Sequence, residues 1–264
     1  LSIDSKIVQA FAERVRAARS ALFITGAGIS ADSGLPTYRG VGGLYEDIHP
    51  EEGIPIEVAL SGPMLQRCPE ITWKYIHQIE AACRGAQPNR AHEIIAQLER
   101  QFERSWVLTQ NVDGFHVAAG SSRVIEIHGN LHRLHCVECA WEETVADYST
   151  LDQRFSGGEP RAPQCPRCSG LVRPRVVLFG ELLPSDATRT LSRELEAGFD
   201  LVVSIGTTSA FPYIAEPVLL ARRRGAATIE VNPGETEVSQ LVDLRIPARA
   251  LPTFEALAAE LSGG

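Results

Sequence analysis

The chain has 264 residues, 44% of them hydrophobic, and a formal net charge of -8 at pH 7. That length can bury a substantial core, as one large domain or a large and a small one, and the acidic balance argues against a nucleic-acid or anionic-membrane surface while suiting a basic peptide partner. No run reaches the ~18 apolar residues of a membrane helix, and the amphipathic amino end has no signal-peptide core, so a cytoplasmic protein is expected.

Ile7, Val8, Phe11, Val15 and Ala18 keep a helical period over 3–20, with Asp4 available as a cap. Residues 21–25 then read as a buried strand that breaks at Gly26-Ala27-Gly28, where the backbone can turn sharply and approach a ligand. A strand's carboxyl end meeting a helix N-terminus is how a dinucleotide fold binds a pyrophosphate, although Ala31 stands where that fingerprint has its third glycine. Pro36, Tyr38, Arg39 and the following Gly42-Gly43-Leu44-Tyr45 form a glycine-hinged loop suited to cover a ligand.

Residues 54–85 are helix-like but interrupted by Pro55, Pro63 and Pro69, which predicts several short helices. Pro88-Asn89 opens a helix over 90–102, and strands are expected at 106–109 and 124–127. Residues 133–171 are polar and loop-rich. Residues 176–179 are expected to return to the main sheet, after which helix 186–197, strand 200–205, helix 213–224, strand 227–231 and helix 252–261 alternate as in a doubly wound α/β domain. The expected division is a discontinuous large domain of residues 1–40, 86–132 and 174–264, with insertions at 41–85 and 133–173 forming the small one.

Cys136-x-x-Cys139 and Cys165-x-x-Cys168 place four thiolates in two tight knuckles, the pattern of a closed tetrahedral structural zinc. An iron–sulfur cluster and a redox dithiol are the alternatives. His132 and His135 beside the first knuckle read as surface histidines, and Cys68 and Cys83 as small apolar side chains. Gln110, Asn111 and Asp113 project at the end of strand 106–109, either toward a ligand or as a cap for the next helix. His128 closes the run Val-Ile-Glu-Ile-His-Gly-Asn at a strand end, a structural histidine or a general base usable near neutral pH. Gly206-Thr207-Thr208-Ser209 and Asn232 each follow a strand and offer phosphate or ribose contacts, or ordinary turns.

Gly26 to Gly40, Thr109 to His116, His128-Gly129-Asn130, the cysteine pairs, Phe179-Gly180-Glu181, Gly206 to Ser209 and Val231-Asn232-Pro233 together resemble, in order, the sirtuins, the NAD-dependent protein-lysine deacylases. The match spans nearly the whole chain. It implies a Rossmann-like doubly wound parallel sheet, a smaller lobe of a helical insertion and a four-cysteine zinc ribbon, NAD as co-substrate, and an acyl-lysine peptide added as a strand between 179–181 and 206–211. The cofactor residues it implies are Gly26, Ala27, Gly28, Ala31, Pro36, Tyr38, Arg39, Val112, Gly206, Thr207, Thr208, Ser209, Asn232, Pro233 and Ala248. Asn111 and Asp113 fall at the nicotinamide, Gln110 at the ribose, and His128 becomes the base; Val177, Phe179, Gly180, Glu181 and Phe211 line the peptide groove. The implied reaction starts with attack of the acyl oxygen on the nicotinamide ribose carbon and ends in free lysine and acyl-ADP-ribose.

Three departures from the family pattern bear on detail. Phe115 replaces a leucine, and Ala210-Phe211-Pro212 replaces smaller aliphatic residues before a proline. The Tyr-x-x-Arg pair of the desuccinylase branch falls on Ile76 and Ile79, which implies a preference for neutral acyl groups. Mono-ADP-ribosyl transfer in the same pocket and a catalytically silent NAD or acyl-lysine reader are the alternatives. A hydride-transfer dehydrogenase would need Asp47 as its ribose ligand, and no β-run precedes it.

Overall fold

The computed structural model describes residues 3–35, 53–154 and 161–263. Pro36, Tyr38, Arg39 and Asp47 lie outside the described residues.

Six parallel strands, β1 (Ser20–Thr25), β2 (Arg104–Thr109), β3 (Val124–Glu126), β7 (Leu201–Ile205), β8 (Ala227–Val231) and β9 (Leu244–Ile246), form one sheet in the order β3-β2-β1-β7-β8-β9. Strand order reverses between β1 and β7, and the crevice at the carboxyl ends there is where doubly wound folds bind ligands. Both faces are covered, which is why β1 and β7 are almost continuously apolar. Phe23 and Val203 face a core shared with Phe11, Ile94, Ile95 and Phe254, while Leu22, Ile24 and Val202 face Leu191, Ile214 and Val218.

A second sheet has the order β5-β4-β6, built from β4 (Gly129–Cys136), β5 (Glu142–Thr144) and β6 (Val172–Val176), all antiparallel. The expected return of residues 176–179 to the main sheet is therefore corrected. The strand lies earlier, ends at Val176, and pairs with β4. Prolines divide the helical segment as expected, giving Ile56–Ala59, Gly62–Arg67 and Pro69–Cys83. These helices pack on the second sheet in one apolar cluster with Trp73, Tyr75, Ile76, Leu131, Leu134, Tyr148 and Val172. The Trp73 indole donates to the Val172 carbonyl at 2.8 Å and its ring lies 5.7 Å from that of Tyr148. Strands β4 and β6 straddle the expected boundaries at 132/133 and 173/174.

Candidate active site

At the switch point two turns pack backbone against backbone. The Gly28 N–H donates to the Gly206 carbonyl at 2.9 Å. A Cβ on Gly28 would come within 2.6 Å of the Gly206 Cα, and one on Gly26 within 2.7 Å of the Thr207 Cβ. Neither Gly26 nor Gly28 has positive φ, so close approach, not left-handed backbone, is what requires glycine there. Part of what the sequence offered to a ligand is thus spent on joining the ends of β1 and β7.

Four consecutive residues after β2 organise the rest. The Gln110 side-chain amide donates to the Thr207 hydroxyl at 2.7 Å, and the Gln110 backbone carbonyl faces the His128 ring. The buried Asn111 amide donates to the Gly26 carbonyl (3.1 Å) and the Ser30 hydroxyl (3.2 Å). The Ser30 hydroxyl donates in turn to Asp113 at 2.7 Å, and the Phe115 N–H donates to the other Asp113 oxygen at 3.0 Å. Burial pushes the Asp113 pKa up, while the Phe115 and Ser30 hydrogen bonds hold it back. The one carboxylate thus accepts from the first N–H of helix Phe115–Ala118, whose N-cap is Gly114, and also lines a cavity. A cavity of about 300 Å³ opens here, lined by Ala27, Ser30, Asn111, Val112, Asp113 and Phe115 on one side and by Ile79, Cys83, Arg84 and Leu131 on the other.

Behind the cavity stand two histidines the sequence reading passed over. The His92 and His116 rings lie 4.9 Å apart, with His92 3.4 Å from the Ser30 hydroxyl and His116 2.9 Å from that of Thr25. Desolvation keeps both neutral, lowering His92 to about 4 and His116 well below its ordinary value. The legible signal was Asn89-x-x-His92, a reciprocal cap of helix Arg90–Leu98.

His128 sits in the turn between β3 and β4. Gly129 follows with φ +82, and a Cβ there would collide with the Arg175 carbonyl, so only glycine lets the chain leave His128 in this direction. Nδ1 of His128 lies 3.0 Å from the Gln110 carbonyl and Nε2 2.7 Å from the Tyr213 hydroxyl. Burial lowers its pKa, against the raising effect of the Gln110 hydrogen bond.

Of the other expected residues, Thr207 is buried and accepts from both Gln110 and the Ser209 N–H, leaving its own hydrogen to donate. Ser209 takes φ +55. The Asn232 side chain is occupied, donating to the Thr207 carbonyl (3.0 Å) and accepting from the Gly234 N–H (3.1 Å), so it ties two strand-end turns together. Thr208 and Pro233 are exposed and Ala31 is half-buried. Ala248 packs at the edge of the first core, just before helix Ala250–Gly263.

Among the residues expected to line a peptide groove, the Val177 N–H donates to the His128 carbonyl at 2.9 Å. The amide and carbonyl of Phe179 are already paired with Leu60 and Gly62, so an added strand must use backbone beyond Phe179 on that edge. Gly180 takes φ +81, and Glu181 is bound by Arg173 at 2.6 Å. Phe211 is 39% exposed. Ile79 lines the cavity, whereas Ile76 is 2% exposed within the second core. An arginine does reach the cavity, from Arg84, but Glu80 (2.6 Å) and Asp152 (2.9 Å) hold its guanidinium.

The sulfurs of Cys136, Cys139, Cys165 and Cys168 all lie within 4.8 Å of one another, with 3.5 Å between 136 and 168 and 3.7 Å between 139 and 165. Zn–S bonds of about 2.3 Å in a tetrahedron set S–S edges of about 3.8 Å, so the four ligands fit one zinc with no open position. The Glu138 and Arg167 N–H groups point at the Cys136 and Cys165 sulfurs, at 3.3 and 3.4 Å.

The family profile described as Sir2 family matches residues 26–211. The chain is 52% identical over 242 residues to NAD-dependent protein deacylase 2 of Pseudomonas aeruginosa, covering 91% of each chain, and 39% identical to the NAD-dependent protein deacylase of Aquifex aeolicus, covering 86% of this chain and 89% of that one. Among solved structures, a Sir2 homologue in complex with NAD matches with a TM-score of 0.81 at 32% identity, covering 97% of this chain and 94% of that one. A Sir2 variant with deacetylated p53 peptide and 3′-O-acetyl-ADP-ribose matches with a TM-score of 0.83 at 30% identity, covering 96% and 98%.

Proposed function

Since this chain belongs to the Sir2 family, we propose that it is an NAD-dependent protein-lysine deacylase in which the residues after β2 serve both ends of one site. The observation that carries this reading is their placement. The Gln110 carbonyl holds His128, while the Asn111 and Asp113 side chains line the cavity with Ser30. The cavity lies at the lower end of the range for ligand pockets, about 300–1,000 Å³, and its amide, carboxylate and hydroxyl suit a carboxamide-bearing ring.

NAD as co-substrate supplies a ribose carbon whose leaving group is nicotinamide. Asn111 and Asp113 hold the nicotinamide end, and Gln110 and Thr207 the ribose and phosphate side. His128, neutral at physiological pH, accepts the proton of a ribose hydroxyl at its Nε2. Phe211, Val177 and the backbone beyond Phe179 hold the acyl-lysine peptide of a protein substrate. Neutral acyl groups are preferred, since Ile79 is apolar and the charge of Arg84 is already matched by Glu80 and Asp152. The zinc is structural. A cytoplasmic location suits the metal-binding thiols together with the free Cys68 and Cys83.

The test is a product assay. Incubation with NAD and an acetyl-lysine peptide should yield nicotinamide, free lysine peptide and O-acetyl-ADP-ribose by mass. An ADP-ribosylated peptide with its acetyl group intact would overturn the reading in favour of ADP-ribosyl transfer.

A further inference from the structure

The contact of His128 with Tyr213 has a consequence for how the base is held. A carbonyl oxygen only accepts hydrogen bonds, so the 3.0 Å contact with Gln110 puts the His128 hydrogen on Nδ1. In the neutral ring the lone pair is then on Nε2, and Nε2 faces the Tyr213 hydroxyl at 2.7 Å. That hydroxyl must donate to it. The lone pair assigned above to the substrate proton is occupied by a side chain of the protein itself.

Tyr213 is firmly placed for this. It is the second residue of helix Pro212–Arg223, whose first residue is a proline with fixed φ. Its ring stacks on Phe211, with centroids 5.3 Å apart and planes at 11°, and both rings stand nearly perpendicular to the imidazole, at 5.9 and 5.8 Å. We propose that Tyr213 is a positioning residue for the base: its hydroxyl and the Gln110 carbonyl pin the imidazole at both nitrogens, and the hydroxyl covers Nε2 until a substrate hydroxyl replaces it. The bland alternative is a packing role for the ring alone, in which the hydroxyl is incidental.

Tyr213→Phe separates these, because it keeps the stack and removes only the hydroxyl. This inference rests on His128 being the base, and two readouts keep the claims apart. The first is independent of turnover. Diethyl pyrocarbonate attacks an unprotonated, uncovered ring nitrogen, so its rate of reaction at His128, mapped by peptide mass without substrates, should rise about fivefold or more in Tyr213→Phe, as expected for loss of one hydrogen bond. The second is kinetic. The kcat of Tyr213→Phe should fall about 3- to 10-fold with KM for NAD unchanged. A modification rate within twofold of the parent, or an unchanged kcat, would overturn the positioning role. If instead His128→Asn keeps parental turnover, the assignment of the base fails, whatever the Tyr213 result.

Discussion

A histidine that must accept a proton works best when its lone pair is available at the operating pH, and burial arranges this for His128. Its pKa is brought below the ordinary imidazole value of about 6.5, so the neutral base persists as pH falls through that value. The acidic limb of kcat/KM, which reports groups of the free enzyme, should therefore lie below pH 6.5. A limb centred above 7 would contradict the assignment. The neutral pair behind the site makes a separate prediction about stability. Folding lowers His92 from 6.5 to about 4, so between those values the unfolded chain binds a proton that the folded chain refuses. Stability present above pH 6.5 is lost as pH falls through this window, roughly 3 kcal/mol for His92 if the whole shift is expressed. Urea unfolding at pH 7 and pH 5 should show a larger loss for the parent than for His92→Gln; equal losses would mean that His92 is not held neutral. The positions of His128 and Asn111 just beyond β3 and β2 were legible through motif and strand position, whereas the pairing of His92 with His116 was not. Their meaning comes from an edge-to-face ring contact across 24 positions of sequence, and periodicity does not report that contact.

At the scale of elements, Gly26 and Gly28 join the ends of two strands. Gly28→Ala would press a Cβ to 2.6 Å from the Gly206 Cα, and overpacking of that kind costs about 1–3 kcal/mol. Lower thermal stability together with weaker NAD binding is expected; parental values for both would show that the turns separate freely. The zinc site has a wider reach than its four ligands, because Cys136 and Cys165 lie in the same apolar cluster as Trp73 and Leu131. Chelation, or Cys136→Ser, should collapse the β4–β6 sheet and abolish activity, and survival of activity in metal-free protein would refute a structural role. The main strands were readable because burial on both faces makes them continuous apolar runs. Strand β6 was not. Arg173, Pro174 and Arg175 dilute its pattern, its charges are matched by Glu181 and Glu142, and an apolar run does not state which sheet it joins. Strand β9 is only 3 residues long, too short for an alternation to register.

Across the whole molecule, the cavity is lined from both sheets, by Ala27 and Asn111 at the strand ends of the first and by Leu131 of β4 with Ile79 and Cys83 of the helix packed on the second. Acyl preference follows from the second set. An acidic acyl tail would have to displace Glu80 or Asp152 from Arg84, so succinyl-lysine peptides should be cleaved at least about tenfold less efficiently than acetyl-lysine peptides, the equivalent of about 1.4 kcal/mol. Comparable kcat/KM for the two would remove the argument. The division of labour along the site is testable in one variant. His128→Ala removes the proton acceptor and leaves Asn111, Asp113 and Ser30 in place, so exchange of labelled nicotinamide into NAD, in the presence of acyl-lysine peptide, should continue. Formation of O-acyl-ADP-ribose should fall by roughly 10²-fold or more, as for loss of a general base. Equal loss of exchange and product formation, or retention of both, would contradict the separation of the nicotinamide end from the base.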